Sequence, residues 1–192
     1  MSHSMYITEA LVCGTFNRNT ADRSYLLFTK EAGMLYAEAR SVREERSRQR
    51  MALQDFSLVR VSLIKGKSGW KIGSIEAQAN FFTVATTKAA RGSVVSLTRF
   101  LRRFFSGQEA APALFEYVVG ALRLLSGEIQ DRDFLERVVQ LHVLLSLGYV
   151  DRGLAPLFVQ EDTLEGLAKH NTAEYQAVLE TLIDKAVSTS HL

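Results

Sequence analysis

One cysteine, one tryptophan and two prolines are all that this chain of 192 residues carries of three residue types that often announce a fold. The single thiol, Cys13, excludes an internal disulfide and any Cys₄ or Cys₂His₂ zinc site built from one chain. It lies in the apolar run Ala10-Leu11-Val12-Cys13 and reads as a small buried hydrophobe. The four histidines, His3, His142, His170 and His191, offer no pair at a ligand spacing, so no metal or other cofactor is expected. There is no run of about eighteen or more apolar residues, which excludes a membrane-spanning helix. The first residues lack the basic-then-apolar pattern of a signal peptide, so a cytoplasmic chain is expected. Met1-Ser2-His3-Ser4 precedes a second methionine, and no functional argument rests on it. Catalytic signatures are missing as well: there is no G-x-S-x-G, no Walker A sequence and no H-E-x-x-H. Gly66-Lys67-Ser68-Gly69 is too short to cradle a nucleotide and fits a hairpin turn. The expectation is a protein that is not an enzyme.

What is present is enough apolar surface for a core, 47% hydrophobic residues against 23% charged. Charge is distributed unevenly along the chain. Positions 1 to 107 hold 17 Lys and Arg against 8 Asp and Glu, whereas positions 108 to 192 hold 6 against 13. Such polarity often marks a nucleic-acid face on one part and a different duty on the other.

Periodicity divides the chain in a similar place. Tyr6 to Cys13, Ser24 to Thr29, Met34 to Ala39, Leu58 to Ile64 and Trp70 to Ile75 read as strands, separated by Gly14, Gly33, a long basic loop and the 65–69 turn. Five short antiparallel strands suit a small closed barrel of the OB type. Beyond Ala77 the spacing becomes helical. Helices are predicted over Ser93 to Phe105, Ala113 to Leu125 behind Pro112, Asp131 to Leu147 with Gly148 as the stop, and from the capping box Asn171-Thr172-Ala173-Glu174 to about Ala186. The expected architecture is a two-domain α+β protein: an N-terminal OB-fold β-barrel over 1–78 and an all-α helical domain over 79–192.

Three basic sets are candidates for binding phosphate. Arg40, Arg43, Arg46, Arg48 and Arg50 fall in the inter-strand loop, interrupted by Glu44 and Glu45; they form either a phosphate-reading patch or a solvated charged loop. Lys65, Lys67 and Lys71 flank Trp70, which is either a platform for stacking a base or part of the barrel core. Lys88, Arg91, Arg99, Arg102 and Arg103 follow, with no acidic residue between 88 and 103. This face suits a phosphate backbone or an anionic membrane surface, while the opposite apolar stripe serves the domain's own core.

In order along the chain, several segments resemble the RecO family of DNA repair and recombination mediators. They are Glu9-Ala10-Leu11-Val12-Cys13-Gly14, the stretch from Asp22-Arg23 through Leu26-Leu27-Phe28-Thr29 to Gly33, and Ser47-Arg48 followed by Leu53-Gln54-Asp55-Phe56. Leu114-Phe115-Glu116-Tyr117 and Phe134-Leu135-Glu136 with Leu144-Leu145-Ser146-Leu147-Gly148-Tyr149 continue the resemblance, which covers positions 6 to 150. Departures are Asp55 where the family usually has proline, no glycine near Arg40, and no cysteine-bearing zinc insertion after the helical core. The resemblance implies a nucleoid-associated, non-catalytic mediator. Such a protein binds single- and double-stranded DNA, promotes annealing, and works with RecR and the C-terminal tail of single-stranded DNA-binding protein to load RecA. For that acidic-hydrophobic tail the available cations on the helical domain are Arg123, Arg132 and Arg137, which at helical spacing also suit local pairing with Glu128, Asp133 or Glu136. Two alternatives stay open: a protein-interaction adaptor that keeps the fold and has lost DNA binding, and an RNA-binding OB module.

Overall fold

The computed structural model describes residues 5–18, 22–40, 42, 48–67, 69–156, 158 and 163–190, with the side chains of Arg48 and Glu165 excepted. Five strands, β1 (Met5–Asn17), β2 (Arg23–Thr29), β3 (Gly33–Ala39), β4 (Ser57–Gly66) and β5 (Gly69–Asn80), close into a barrel in the order β1-β2-β3-β5-β4. The barrel closes where β3 meets β5 in parallel, Ala37 opposite Trp70 and Glu38 opposite Lys71; the other pairings are antiparallel. This is the OB-type Greek-key barrel, closed by a short two-pair ladder between β3 and β5.

Alternation along each strand fills the barrel. Ala10, Val12, Tyr25, Leu27, Leu35, Ala37, Ala39, Val59, Val61, Leu63 and Trp70 form one buried cluster, in which three alanines make room for the Tyr25 and Trp70 rings. Val42 and Leu53 join this cluster from the β3–β4 connection. There a short helix α1 (Arg48–Ala52) stands where the sequence predicts only a loop.

β1 is longer than its apolar run suggests. A bulge between Val12 and Gly14 bends the strand without ending it, and pairing with β2 continues through Thr15, Phe16 and Asn17. The glycine read as a turn is the residue that lets the strand coil around the barrel.

The compact units do not follow a single cut in the chain. One contains residues 1–85 together with 106–119, and the other contains 86–105 together with 120–192. The 106–119 segment joins the barrel unit through the β2–β3 turn, where the Met34 N–H donates to the Gly107 carbonyl at 2.9 Å. Gly33 occupies the left-handed region, φ +63°, and a Cβ there would lie 2.4 Å from the Glu109 carbonyl oxygen. Only glycine meets both demands. Phe28 packs against Phe115 and Lys30 pairs with Glu116 in the same unit.

Helices α2 (Phe81–Val84), α3 (Lys88–Phe104), α4 (Pro112–Leu125), α5 (Arg132–Ser146), α6 (Leu164–Ala168) and α7 (Ala173–Thr189) follow. In the helical unit α5 packs against α3, α6 and α7. The predicted stripe of α3 is buried as expected, with Ala90 added to Val94, Leu97, Leu101 and Phe104. α5 ends in a Schellman motif: Gly148 has φ +78°, its N–H donates to the Leu145 carbonyl, and the Tyr149 N–H donates to that of Leu144. The last helix departs from expectation at its start. Thr172, not Asn171, is the N-cap, its hydroxyl accepting from the Tyr175 N–H at 3.4 Å, so Glu174 falls one position short of a capping box.

Candidate nucleic-acid interface

On the barrel unit the predicted basic residues separate into three groups. Arg40 is exposed just beyond β3, and Arg50 is exposed on α1. Arg43 and Arg46 lie outside the described residues, as does the side chain of Arg48. Lys65 and Lys67 are exposed at the β4–β5 hairpin, and Lys71 is half-buried on β5 beside Glu38 of β3.

Trp70 is not the stacking surface the sequence allowed it to be. It is 8% exposed and belongs to the barrel core, because its position on β5, opposite Ala37 of β3, faces inward. Its ring meets Tyr6 edge-on at 5.5 Å, the Lys65 ammonium lies over it at 5.3 Å, and its indole N–H donates to Gln108 Oε1 at 3.2 Å. Both the ring and its polar tip are already engaged.

Two of the exposed aromatics sit elsewhere, on the outer face over β2. Phe16 of β1 and Tyr36 of β3 are 37% and 59% exposed, with ring centroids 5.8 Å apart at 59°. They belong to next-nearest strands, about 10 Å apart, and meet because β2 offers little to separate them. Phe16 lies opposite Ser24, and Leu26, opposite Tyr36, is itself opposite Gly14. One step along, Arg18 and Glu38 form an ion pair across the same strand. The sequence reading ended the first strand at Cys13 and so put Phe16 and Arg18 in a loop. Their common parity in Phe16-Asn17-Arg18 is the signal that a longer strand would have revealed.

At one end of the barrel Tyr25 is fully buried with its hydroxyl near Arg23. Burial pushes its phenol above the ordinary range, and the Arg23 guanidinium pulls in the opposite direction.

In the helical unit, Lys88, Arg91, Arg99, Arg102 and Arg103 are all exposed on α3. At about 100° per residue they fall within an arc of about 120° and run along about 22 Å of helix. Arg103 also donates to the Val187 carbonyl at 3.1 Å and lies over the Phe104 ring.

The three cations expected to receive a partner peptide have different circumstances. Arg132 is a structural clamp. Its guanidinium donates to the Leu125 and Gly127 carbonyls and reaches Ser93 Oγ at 3.4 Å, because α5 begins where α4 leaves its last carbonyls unpaired. Arg137 pairs with Glu180 at 3.3 Å between α5 and α7. Arg123 is exposed on the last turn of α4. The groove beside Arg132 and Arg137, about 780 Å³, also carries Asp131, Asp133 and Glu180, so its lining is mixed in charge.

Among the described residues no three His, Cys, Asp or Glu side chains gather in a way that would hold a metal ion, and no helix is long and apolar enough to cross a membrane. No family model matches the chain. It is 26% identical over 145 residues to the DNA repair protein RecO of Pelotomaculum thermopropionicum, covering 76% of this chain and 56% of that one. Over 148 residues it is 27% identical to the RecO protein of Desulfitobacterium hafniense, covering 77% and 54%. The RecO protein of Symbiobacterium thermophilum is 25% identical over 146 residues, covering 76% and 58%. The chain spans just over half the length of these curated relatives.

Proposed function

We propose that this chain, a divergent member of the RecO family, is a non-catalytic DNA-binding protein of DNA repair. The observation that carries the reading beyond the similarity itself is the acid-free basic arc of α3. Five cations within one arc of the helix face present a continuous stretch of positive charge to a phosphate backbone, and arginine forks suit its oxygens. Arg40, Arg50, Lys65, Lys67 and Lys71 would serve the barrel in the same way, together with Arg43, Arg46 and Arg48 of the connecting loop. Contacts of this kind position a nucleic acid without reading its sequence, so the expected binding is phosphate-dominated and indifferent to base order.

Both single- and double-stranded DNA are the ligands of this reading, and annealing follows from holding strands by their phosphates. Loading of RecA with RecR and the tail of single-stranded DNA-binding protein is the partner-dependent part of the proposal. On the helical unit Arg123 is the cation it rests on most, since Arg132 is committed to carbonyls and Arg137 to Glu180.

The test is fluorescence anisotropy with labelled single-stranded and duplex DNA at two salt concentrations. Salt-sensitive binding is expected, and the double variant Lys88→Glu, Arg99→Glu should bind duplex more weakly, its salt slope shallower by roughly 0.9 for each phosphate left without its cation. Absence of binding by the unaltered protein at low salt would overturn the reading in favour of a protein-interaction adaptor. A peptide ending in acidic and apolar residues would then be the ligand to titrate.

A further inference from the structure

Phosphate contacts do not distinguish one strand from two, yet the barrel exposes a feature suited to that distinction. We infer that Phe16 and Tyr36 form a ledge on which an unpaired base of single-stranded DNA stacks, with Arg18 beside it to meet the adjoining phosphate. This inference rests on the DNA-binding reading and deepens it by naming a strand-selective site.

Four observations converge on the same small area of the outer barrel wall. First, both rings keep solvent-exposed surface: Tyr36 is 59% and Phe16 37% exposed, whereas Tyr25 and Trp70, on the same barrel, are buried in the core. Large aromatics at solvent-facing strand positions hold apolar surface in water, where a ligand's apolar face is the natural cover. Second, the pair is preorganised. The rings touch at a 5.8 Å centroid separation and a 59° tilt, so each fixes the other while ring surface stays accessible to a planar guest. Third, the floor is flat. Ser24 on β2 is small, Gly14 on β1 has no side chain, and Leu26, in the row of Gly14 and Tyr36, is buried, so the wall between the two rings is low. Fourth, the ledge has a charged neighbour at the right step. Arg18 follows Phe16 by two residues and Glu38 follows Tyr36 by two, placing a guanidinium and a carboxylate on the same face as the rings.

The chemistry selects the occupant. A flat π-face beside a cation matches a nucleobase joined to a phosphate, and a base in a duplex is already stacked on both faces and cannot use it. An aliphatic peptide would gain nothing from the cation. In the unliganded protein Arg18 is held by Glu38, so the pair keeps the guanidinium at the edge of the ledge and the phosphate takes it over on binding.

The decisive ligand is a single strand of thymidines compared with an abasic strand of equal length, which has the same phosphates and no bases. The unaltered protein should prefer the thymidine strand by about tenfold, the worth of stacking one base. Phe16→Leu and Tyr36→Leu, which keep an apolar side chain and remove the π-face, should abolish that preference while leaving duplex affinity unchanged. Thermal unfolding of both variants reports whether the barrel is intact. Equal affinity of the unaltered protein for the two strands would overturn the ledge and leave phosphate binding standing. Failure to bind either strand at low salt would overturn both. If the leucine variants weaken duplex and single strand alike, the rings hold the barrel together and do not stack bases.

Discussion

Arg132→Ala should destabilise the helical unit by about 2–3 kcal/mol, and the structure gives the reasons for that size. The side chain stands at the first position of α5, where a cation opposes the helix dipole and would ordinarily cost a few tenths of a kcal/mol. It is there because the same guanidinium sits at the negative end of α4. One Nη group donates to the Leu125 carbonyl, and the other donates to that of Gly127 at 2.6 Å. Hydrogen bonds from a charged donor contribute about 1.5–3 kcal/mol each when well shielded. The residue is half-buried, so the lower part of that range applies, and truncation leaves the carbonyl of fully buried Leu125 without its donor. For a chain of this size the loss corresponds to a fall in melting temperature of about 4–10 °C. Arg132→Lys should recover less than half, because an ammonium cannot reach two carbonyls in the fork geometry. Thermal unfolding followed by circular dichroism, with urea titration for the free energy, makes the measurement. A change under about 0.5 kcal/mol would refute the clamp and return Arg132 to the set of cations available to a partner.

Gly33→Ala combines a left-handed backbone with a Cβ 2.4 Å from a carbonyl oxygen, so it should cost about 2–4 kcal/mol by urea titration, and near-neutral behaviour would contradict the packing of 106–119 on that turn. Burial holds the Tyr25 and Tyr117 phenols neutral, raising both above the ordinary value. The stability this carries is whole below about pH 10, where an unfolded tyrosine is also neutral, and is lost as pH climbs through the raised folded values. Tyrosinate absorbance during alkaline titration should therefore show the Tyr25 and Tyr117 phenols ionising only as the protein unfolds. Glu38→Gln releases Arg18 from its carboxylate and should tighten single-strand binding by about two- to fivefold, the range of an exposed ion pair; weaker binding in the anisotropy assay would count against Arg18 as a phosphate contact.

The barrel and most helices were legible because their signals are local. Alternation in Leu58 to Ile64 and the 65–69 turn fixed a hairpin, and the spacing of Val94, Leu97, Leu101 and Phe104 fixed the buried face of α3. What escaped the sequence depends on neighbours from other elements. Gly14 reads as a stop, yet a bulge opposite β2 carries the strand on to Asn17, and this hid the outward parity of Phe16 and Arg18. Trp70 between lysines suits a platform as well as a core, and only the register with Ala37 turns it inward. Arg132 presents the same problem. A cation near acidic residues looks available until the end of α4, several residues earlier in the chain, is folded against it.

The charge pattern changes meaning once the chain is folded. Counted along the sequence, the first 107 residues are strongly basic and the rest acidic. Counted by compact unit, the barrel unit has 12 basic residues against 10 acidic and the helical unit 11 against 11, because the basic helix α3 joins the acidic remainder. Neither unit therefore carries a strong net charge with which to draw in a polyanion. Attraction has to come from local geometry: the α3 face, from which acids are missing over sixteen consecutive positions, and single cations such as Arg40 and Lys67 at strand ends. Local patches of this kind are screened within a Debye length, about 8 Å at physiological ionic strength. In the proposed DNA-binding reading, part of the affinity for a single strand then comes from contacts that salt does not weaken, and the exposed rings of Phe16 and Tyr36 on the barrel wall are able to make them.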